Sequence, residues 1–378
     1  MILNGPAYPA ARASSARVHE HLARHRQEAL RTGVRVAPLP EPSEIERIIE
    51  TAFWASLRRE EGYVPRISLA FLPPDTSQSS FVFERRIPLA AQPLTRLAPA
   101  VEREGLHLGV WHDGDDLSVW GTTRSVPAVC FVLEVSAPGL LVVKHHRGDE
   151  TGKYVNVAVL EGDEIKIINE HAGTLPDCPS VVAALVDFSL PPNDGFNVLI
   201  ELAVSMRAHG RGGALLVVPH GSHAWRESIV TPMLYAIDPP YTRLADLARE
   251  GMEVVHRDSW RVEIERAVDA VAGLTAVDGA TIVTDRFELL AFGAKIVRRR
   301  GSPQVEQITI TEPVEDIPAM TMESSQVGGT RHLSAAQFVQ DQRDALALVA
   351  SQDRHFTIFA WSPCEGAVHA HRVETLLL

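Results

Sequence analysis

The stretch FNVLIELAVSMRAHGRGGALLVVP, residues 196–219, decides the fold of the C-terminal half of the chain. Its first part, FNVLIELAVSMRAHG, places apolar side chains at helical spacing, which predicts an amphipathic helix. The run GGALLVVP that follows is short, apolar and rich in β-branched and aliphatic residues, so it predicts a buried strand. A helix followed at once by a buried strand is typical of α/β folds.

The same interleaving of helices and strands continues toward residue 378. Helical spacing returns in residues 262–277 and 333–342. Short apolar runs that predict strands are residues 278–284, 288–297, 345–351, 356–361 and 367–373. Residues 189–378 are therefore expected to form an α/β domain with a mixed central sheet flanked by helices.

Residues 36–188 have a different pattern. Between residues 67 and 168 the apolar runs are short, β-branched or aromatic, and bounded by Gly, Pro or Asp, which predicts strands. Helices are predicted after Ser43, whose capping-box partner would be Glu46, and near residues 93–104. We expect an α+β domain with a mostly antiparallel sheet.

Two further segments complete the expected organisation. Residues 1–35 are rich in Ala, Arg and His with little apolar periodicity, and we expect a flexible N-terminal arm. The breaker cluster PPNDG, residues 191–195, is the expected linker between the two domains. A chain of 378 residues is long enough for two domains with separate cores.

The composition excludes several classes of protein. With 45% hydrophobic and 22% charged residues, the chain is typical of globular proteins. A net charge of −12 argues against a broad nucleic-acid surface, so no nucleic-acid partner is expected. The three cysteines are widely spaced and predict neither disulfides nor a zinc knuckle. Since long apolar runs and a leader are absent, we expect a cytoplasmic protein without a membrane segment.

Asp278-Gly279-Ala280 lies where a predicted helix ends and a predicted strand begins. An Asp at such an edge can bind a divalent metal or polarise a hydroxyl, and the Gly lets a ligand approach the backbone. Asp-Gly pairs are also common in ordinary turns. Taken alone, this segment leaves both interpretations open.

A second group of polar residues, Gly328-Gly329-Thr330-Arg331-His332, stands at the start of a predicted helix. Helix N-terminal N–H groups, a hydroxyl and a guanidinium together suit a phosphate, and His332 could add a charge or a metal ligand. The alternative is a glycine loop in which Thr330 caps the helix while Arg331 and His332 are exposed.

In this order, the two segments resemble the paired signatures of diadenylate cyclase domains, Asp-Gly-Ala and Gly-Thr-Arg-His-Arg. The run RGGALLVV, residues 211–218, is similar to the family's early Gly-Ala-Leu-Ile-Val strand. Asp-Ala at residues 344–345 and Val-Ala-Ser at 349–351 resemble its later Asp-Ala and Val-Ser-Glu segment. The resemblance covers about half of the chain, residues 190–378.

The resemblance implies an enzyme that joins two ATP molecules into cyclic di-AMP and releases two pyrophosphates. It makes Asp278 the catalytic residue, and Asp278 and His332 the ligands of Mg²⁺ or Mn²⁺. Its nucleotide contacts would be Gly279, Ala280, Gly329, Thr330, Arg331, His332 and Ser351. Since each domain would hold one ATP, the partner is a second copy in a homodimer or larger homo-oligomer. Residues 36–188 would form a sensor domain, because such modules commonly follow a regulatory domain.

Two departures from the family pattern keep other functions open. Leu333 stands where the family has its last Arg, and a lost charge-assisted hydrogen bond costs ~1.5–3 kcal/mol. The segment between Asp278 and Gly329 is longer than in the family and contains three arginines, residues 298–300, which could supply that charge or form a solvated face. The alternatives are a nucleotide-binding receptor or scaffold without catalysis, and a synthase of another cyclic dinucleotide.

Other polar clusters suggest metals less strongly. The pair His145-His146 and the sequence HGSH, residues 220–223, lack Cys or carboxylate partners at a useful spacing. We interpret them as surface or core histidines, and the sequence HDGDD, residues 112–116, as a turn.

Overall fold

The computed structural model describes residues 7–74, 80–103, 105–147, 154–174, 177–186, 196–250 and 257–378. The chain forms two compact units, the first ending at Ile168 and including Leu378, the second running from Asn169 to Leu377. The second unit thus begins ahead of the boundary expected between residues 188 and 189, and the expected linker, residues 191–195, lies outside the described residues. No helix within the described ranges is long and apolar enough to cross a membrane.

The first unit contains one sheet and three α-helices within its described residues. The helices are α1 (Pro9–Arg31), α2 (Pro42–Ser56) and α3 (Ala91–Leu97), the last continuing into a 3₁₀ turn, Ala98–Val101. The strands are β1 (Ile67–Phe71), β2 (Ser80–Pro88), β3 (His107–Asp113), β4 (Asp116–Thr123), β5 (Phe131–Ala137), β6 (Leu140–His146), β7 (Tyr154–Glu161) and β8 (Glu164–Ile167). The strand order is β2-β4-β3-β1-β5-β6-β7-β8. Because β1 and β3 pair in parallel and the other neighbours are antiparallel, the sheet is mixed but mostly antiparallel, as expected.

Helix α1 replaces the flexible arm expected for residues 1–35, over the part of that segment that the structure describes. Its Val18 and Leu22 side chains are fully buried in the core of the first unit. Other buried positions of the helix are small or polar, among them Ser14 and His21. Because such side chains weaken the apolar periodicity of a buried face, the sequence pattern did not predict that this helix packs against the core.

Helix α2 begins earlier than the capping pattern predicted. Its N-cap is Glu41, and the capping box joins Glu41 to Glu44, where Ser43 and Glu46 were expected. The N–H of Glu41 donates to Glu44 Oε2 at 2.7 Å. Pro42 explains the shift, because proline suits the first helical position, where no N–H is needed.

The second unit also contains one sheet with helices. Its described helices are α4 (Ser180–Val186), α5 (Val198–Ala208), α6 (Arg243–Glu250), α7 (Arg257–Leu274) and α8 (Thr330–Asp341). The strands are β9 (Gly213–Val218), β10 (Tyr235–Tyr241), β11 (Ala280–Thr284), β12 (Leu289–Ala294), β13 (Gln307–Thr311), β14 (Met320–Glu323), β15 (Leu346–Ala350), β16 (Phe356–Ser362) and β17 (Ala367–Arg372). The strand order is β10-β12-β11-β9-β15-β16-β17-β13-β14. The sheet is mixed, as expected, because β9–β11 and β13–β17 pair in parallel and the others antiparallel.

Strand β9 lies in the interior of this sheet and shows how helices cover both faces. Leu215 and Val217 pack with residues of α5 and α7. Ala214 and Leu216 point the other way and pack with residues of α8. Because alternate side chains of a strand point to opposite faces, a strand buried on both faces must be apolar throughout. The predicted buried strand is therefore confirmed.

The packing of α1 predicts a large difference between two leucines of that helix. Leu22→Ala is expected to destabilise the first unit by about 2–5 kcal/mol, because it leaves a cavity at a fully buried position. Leu30→Ala is the matched control, since the Leu30 side chain is 50% exposed. Urea-dependent hydrogen exchange of β5 and β6 measures both changes within the first unit alone. Equal, small effects of the two substitutions would show that α1 does not pack on the core.

Candidate functional site

The interior of the second sheet brings together segments that are far apart in the sequence. The register of β9 places Ala280 of β11 on one side of its first residues and Ala350 of β15 on the other. Asp278 shortly precedes β11, and Ser351 directly follows β15. Both residues therefore lie beside the start of β9.

The N-terminus of α8 meets the start of β9 at the same place. Gly329 is the N-cap residue and no side chain caps the helix, so Thr330 does not have the capping function that was considered for it. The first N–H groups of a helix have no partner within the helix and can bind an anion. A Cβ atom on Gly212 would lie 3.0 Å from Arg331 Nη1, so glycine at this position leaves room for the guanidinium.

These segments surround one open cleft of about 540 Å³. The residues that line it are Asp278, Val327, Gly328, Gly329, Thr330, Arg331, His332, Val349, Ala350, Ser351, Gln352, Asp353, His355, Thr357 and Arg372. Every predicted site residue lines the cleft except Gly279 and Ala280.

Asp278 stands at the edge of the cleft with 89% of its side chain exposed. Its Oδ2 accepts a hydrogen bond from Lys295 Nζ at 2.6 Å. This bond and the charge of Lys295, with a smaller contribution from Arg331, lower the pKa of Asp278. A carboxylate with a lowered pKa is a weak base, so the geometry suits Asp278 to orient a hydroxyl or bind a cation more than to accept a proton.

Gly279 and Ala280 position Asp278 and do not line the cleft themselves. Gly279 has a φ of +124°, and a Cβ atom there would lie 2.4 Å from the carbonyl carbon of Gly293. Any L side chain would be strained and would clash at this position. Ala280 begins β11 and is 1% exposed. The close approach of β11 and β12 therefore explains why residue 279 is a glycine and why residue 280 is small and buried.

His332 is buried beneath the helix N-terminus. A Cβ atom on Gly328 would lie 2.7 Å from Cγ and Nδ1 of the His332 ring, so the ring packs directly on the glycine backbone. Burial, followed by the positive charge of Arg372, lowers the pKa of His332. The ring is therefore neutral near pH 7. A neutral imidazole can donate a hydrogen bond or bind a metal, but it does not add the positive charge that was considered for it.

Ser351 closes a turn at the other wall of the cleft. Its Oγ accepts a hydrogen bond from the His355 N–H at 3.2 Å, and its own N–H donates to His355 O at 2.9 Å. The Ser351 hydroxyl proton does not take part in either bond. Ser351 thus has a structural function in the turn and retains one donor for a ligand.

Arg372 is a cationic residue of the cleft that the sequence patterns did not identify. Val368 and Ala370 of β17 pack on the face that α8 covers, and Arg372 follows them at the same two-residue spacing. Strand alternation therefore predicts that Arg372 lies on this face, and an arginine ending a buried face is a signal that could have identified it. Its Nη1 lies 3.4 Å from Glu312 Oε1.

Leu333 lies outside the cleft. Its side chain lines a separate depression of about 360 Å³, which Arg298 also lines. Arg299 instead pairs with Glu227, with 2.7 Å between Arg299 Nε and Glu227 Oε2. One member of the arginine run, Arg298, therefore lies beside Leu333.

The expected metal ligands, Asp278 and His332, do not form part of a cluster of three or more metal-binding side chains in the described ranges. Both line the same cleft. A metal ion bound there would take its further ligands from phosphate oxygens and water, as Mg²⁺ usually does.

The comparison with protein families identifies a segment of the first unit. Residues 34–124 match the family described as "Probable sensor domain DACNV". The match lies almost wholly within residues 36–188, where a sensor was expected, and supports that expectation. It covers less than half of the chain and does not reach the cleft.

Comparisons with curated proteins and with solved structures do not assign the second unit to a family. A search of curated proteins found no match. Among solved structures, a hypothetical membrane spanning protein from Bacillus cereus is 14% identical, with a TM-score of 0.26. The alignment covers 48% of this chain and 65% of that chain. A TM-score of this size does not establish a shared fold.

Lys295 is expected to control the ionisation of Asp278. Lys295→Met should raise the pKa of Asp278, because it removes both the hydrogen bond and the largest neighbouring charge. Arg331→Gln should raise it less, since Arg331 contributes only a smaller charge effect. Titration of the Asp278 carboxyl carbon by NMR measures both shifts. A larger rise in Arg331→Gln than in Lys295→Met would contradict this assignment.

Proposed function

We propose that the second unit binds ATP in this cleft and, as a homodimer, joins two ATP molecules into cyclic di-AMP. The proposal rests on one observation: Asp278, the start of α8 and Ser351 all line the same cleft. These segments resemble the signatures of diadenylate cyclase domains, and nothing in their sequence spacing required them to meet. Their convergence supports a shared function.

The chemistry of the cleft suits a nucleotide triphosphate. The uncapped N-terminus of α8 and the guanidinium groups of Arg331 and Arg372 offer donors and positive charge for phosphates. The hydroxyls of Thr330 and Ser351 add further donors. When bound, Mg²⁺ or Mn²⁺ would neutralise phosphate charge, with Asp278 and His332 as the protein ligands.

In the proposed reaction, the 3′-hydroxyl of each ATP attacks the α-phosphate of the other. Each attack forms one phosphodiester bond, breaks the bond to the β-phosphate and releases pyrophosphate, and the hydroxyl proton passes to water or to the departing pyrophosphate. The carboxylate of Asp278 would orient the attacking hydroxyl. Because each cleft would hold one ATP, two protomers must face each other, and their proximity supplies much of the rate.

A nucleotide-binding receptor or scaffold without catalysis is the second candidate. Leu333 favours it, because a guanidinium of the family motif is replaced by an apolar side chain. Arg298 lines the same depression as Leu333, so a positive charge is present beside the position of the missing guanidinium, although that depression is separate from the cleft. A synthase of another cyclic dinucleotide would use the same cleft, and only its product would differ.

The first unit would regulate this activity as a sensor. The match of residues 34–124 supports a sensor in the same chain, upstream of the cleft. We propose that a ligand of the first unit changes the rate at which the second unit uses ATP.

Purified protein incubated with ATP and Mn²⁺ or Mg²⁺ is expected to form cyclic di-AMP, detected by mass analysis of the nucleotides. Asp278→Asn should lower the rate roughly 100-fold, the order of magnitude for losing the correct position of a reacting group. Asp285→Asn is the matched control. Asp285 follows the other end of β11, and its Oδ1 accepts from the His220 N–H, a bond that asparagine can keep.

Three other results of this assay would change the conclusion. ATP that binds without turnover would favour the receptor. A different cyclic dinucleotide formed from another nucleotide would identify the alternative synthase. Activity per protomer that stays constant in a strictly monomeric sample would contradict ring closure between two protomers.

Arg331 is expected to bind the phosphates of ATP. Arg331→Ala should weaken binding of a non-hydrolysable ATP analogue about 10- to 100-fold, because a hydrogen bond to a charged group contributes ~1.5–3 kcal/mol. Isothermal titration calorimetry measures the affinity. Arg343→Ala is the control, since Arg343 stacks on Trp361 and does not line this cleft. Equal losses in the two variants would exclude a specific function of Arg331.

A further inference from the structure

The first unit contains three histidines that meet inside its core. His21 and His25 lie one turn apart on α1, and His145 lies near the end of β6. Their exposed fractions are 2%, 9% and 4%. One ligand nitrogen from each ring lies within 4.8 Å of the others. We propose that these residues, defined here as the three-histidine cluster, bind a divalent transition-metal ion of the zinc type.

The arrangement of the rings is compatible with one shared ion. The ring centres of His21 and His25 are 4.6 Å apart, and those of His25 and His145 are 5.0 Å apart. For separations of up to 4.8 Å, some point lies within roughly 2.8 Å of all three nitrogens, against ~2.0–2.1 Å for a zinc–imidazole bond. Small side-chain rotations of the three rings would close this difference.

One hydrogen bond determines the tautomer of His145. His145 Nδ1 lies 3.2 Å from the carbonyl oxygen of His146. Because a carbonyl oxygen can only accept, Nδ1 carries the proton and Nε2 keeps its lone pair for a metal. His25 also has a carboxylate nearby, because Glu28 Oε2 lies 3.7 Å from His25 Nδ1, somewhat beyond hydrogen-bonding distance. Carboxylates and carbonyls in these positions are typical of metal-bound histidines.

The ligand set determines the class of metal. Three imidazoles without a thiolate suit Zn²⁺, Cu²⁺, Ni²⁺ or Fe²⁺ and do not suit Mg²⁺ or Ca²⁺. The three-histidine cluster is therefore chemically distinct from the Mg²⁺ or Mn²⁺ expected in the cleft of the second unit. Three protein ligands would leave one tetrahedral position open to water or another small ligand.

The position of the cluster implies a structural consequence. Two ligands belong to α1 and the third to the sheet, so a bound ion would attach the helix to β6. His21, His25 and His145 all lie outside residues 34–124, the segment that matches the sensor family. Metal binding would thus control how firmly α1 packs on the first unit.

Titration of the untagged, chelator-treated full-length protein with Zn²⁺, in competition with a chromophoric chelator, tests the site. We expect one ion bound per chain with micromolar or tighter affinity. His25→Gln and His145→Gln should each weaken it at least roughly 100-fold, because even outer-shell changes cost 10–100-fold. His146→Gln, next to His145 but outside the cluster, should bind as the wild type does.

Two further measurements use only the wild-type protein and therefore do not depend on the folding of a variant. Co²⁺ bound to the wild-type protein should give the intense visible absorption of a tetrahedral site. Zn²⁺ should also slow hydrogen exchange in residues 9–31 of the wild type and leave α5, which contributes no residue to the cleft, unchanged. Absence of stoichiometric binding by the wild type, or equal binding by His25→Gln and His146→Gln, would overturn the proposal.

Discussion

Strand β9 pairs with β11 on one side and with β15 on the other, and the arrangement of the second unit depends on the register of these two pairings. Strand β11 runs parallel to β9 and places Asp278, which precedes β11, at the start of β9. Strand β15 runs antiparallel to β9 and places Ser351, which follows β15, at the same end. Asp278 and Ser351 meet at one edge for this reason. A shift of either register by one residue would move each side chain to the opposite face of the sheet, so the different packing on the two buried faces maintains the geometry of the cleft.

Glycines make the close approaches around this edge possible. Gly212 leaves space for the Arg331 guanidinium, Gly279 for the backbone of β12, and Gly328 for the His332 ring. The resulting cleft contains opposed charges, because Lys295 already binds the carboxylate of Asp278 while Arg331 and Arg372 stand nearby. An arriving phosphate would compete with Asp278 for these cations. That competition links the charge of Asp278 to ligand binding.

The first unit depends on a different contact. Helix α1 covers part of the sheet with a face made of small, polar and a few apolar residues, including Val18 and Leu22. Burying polar rings such as His21 and His145 costs free energy that their bonds must offset. A metal ion shared by the three-histidine cluster would supply such bonds and would make the packing of α1 depend on a signal.

The sequence by itself determined the classes of both units, the buried strand β9 and the polar groups around Asp278 and Arg331, because periodicity, turn residues and helix starts are local properties. It did not determine the packing of α1, whose buried face contains Ser14 and His21 and therefore lacks a clear apolar period. Tertiary structure alone placed Lys295 on Asp278, since that contact follows from the register of β11 and β12, and it brought the face that carries Arg372 to the cleft. It also brought His145 to a helix more than a hundred residues earlier, which no local spacing encodes.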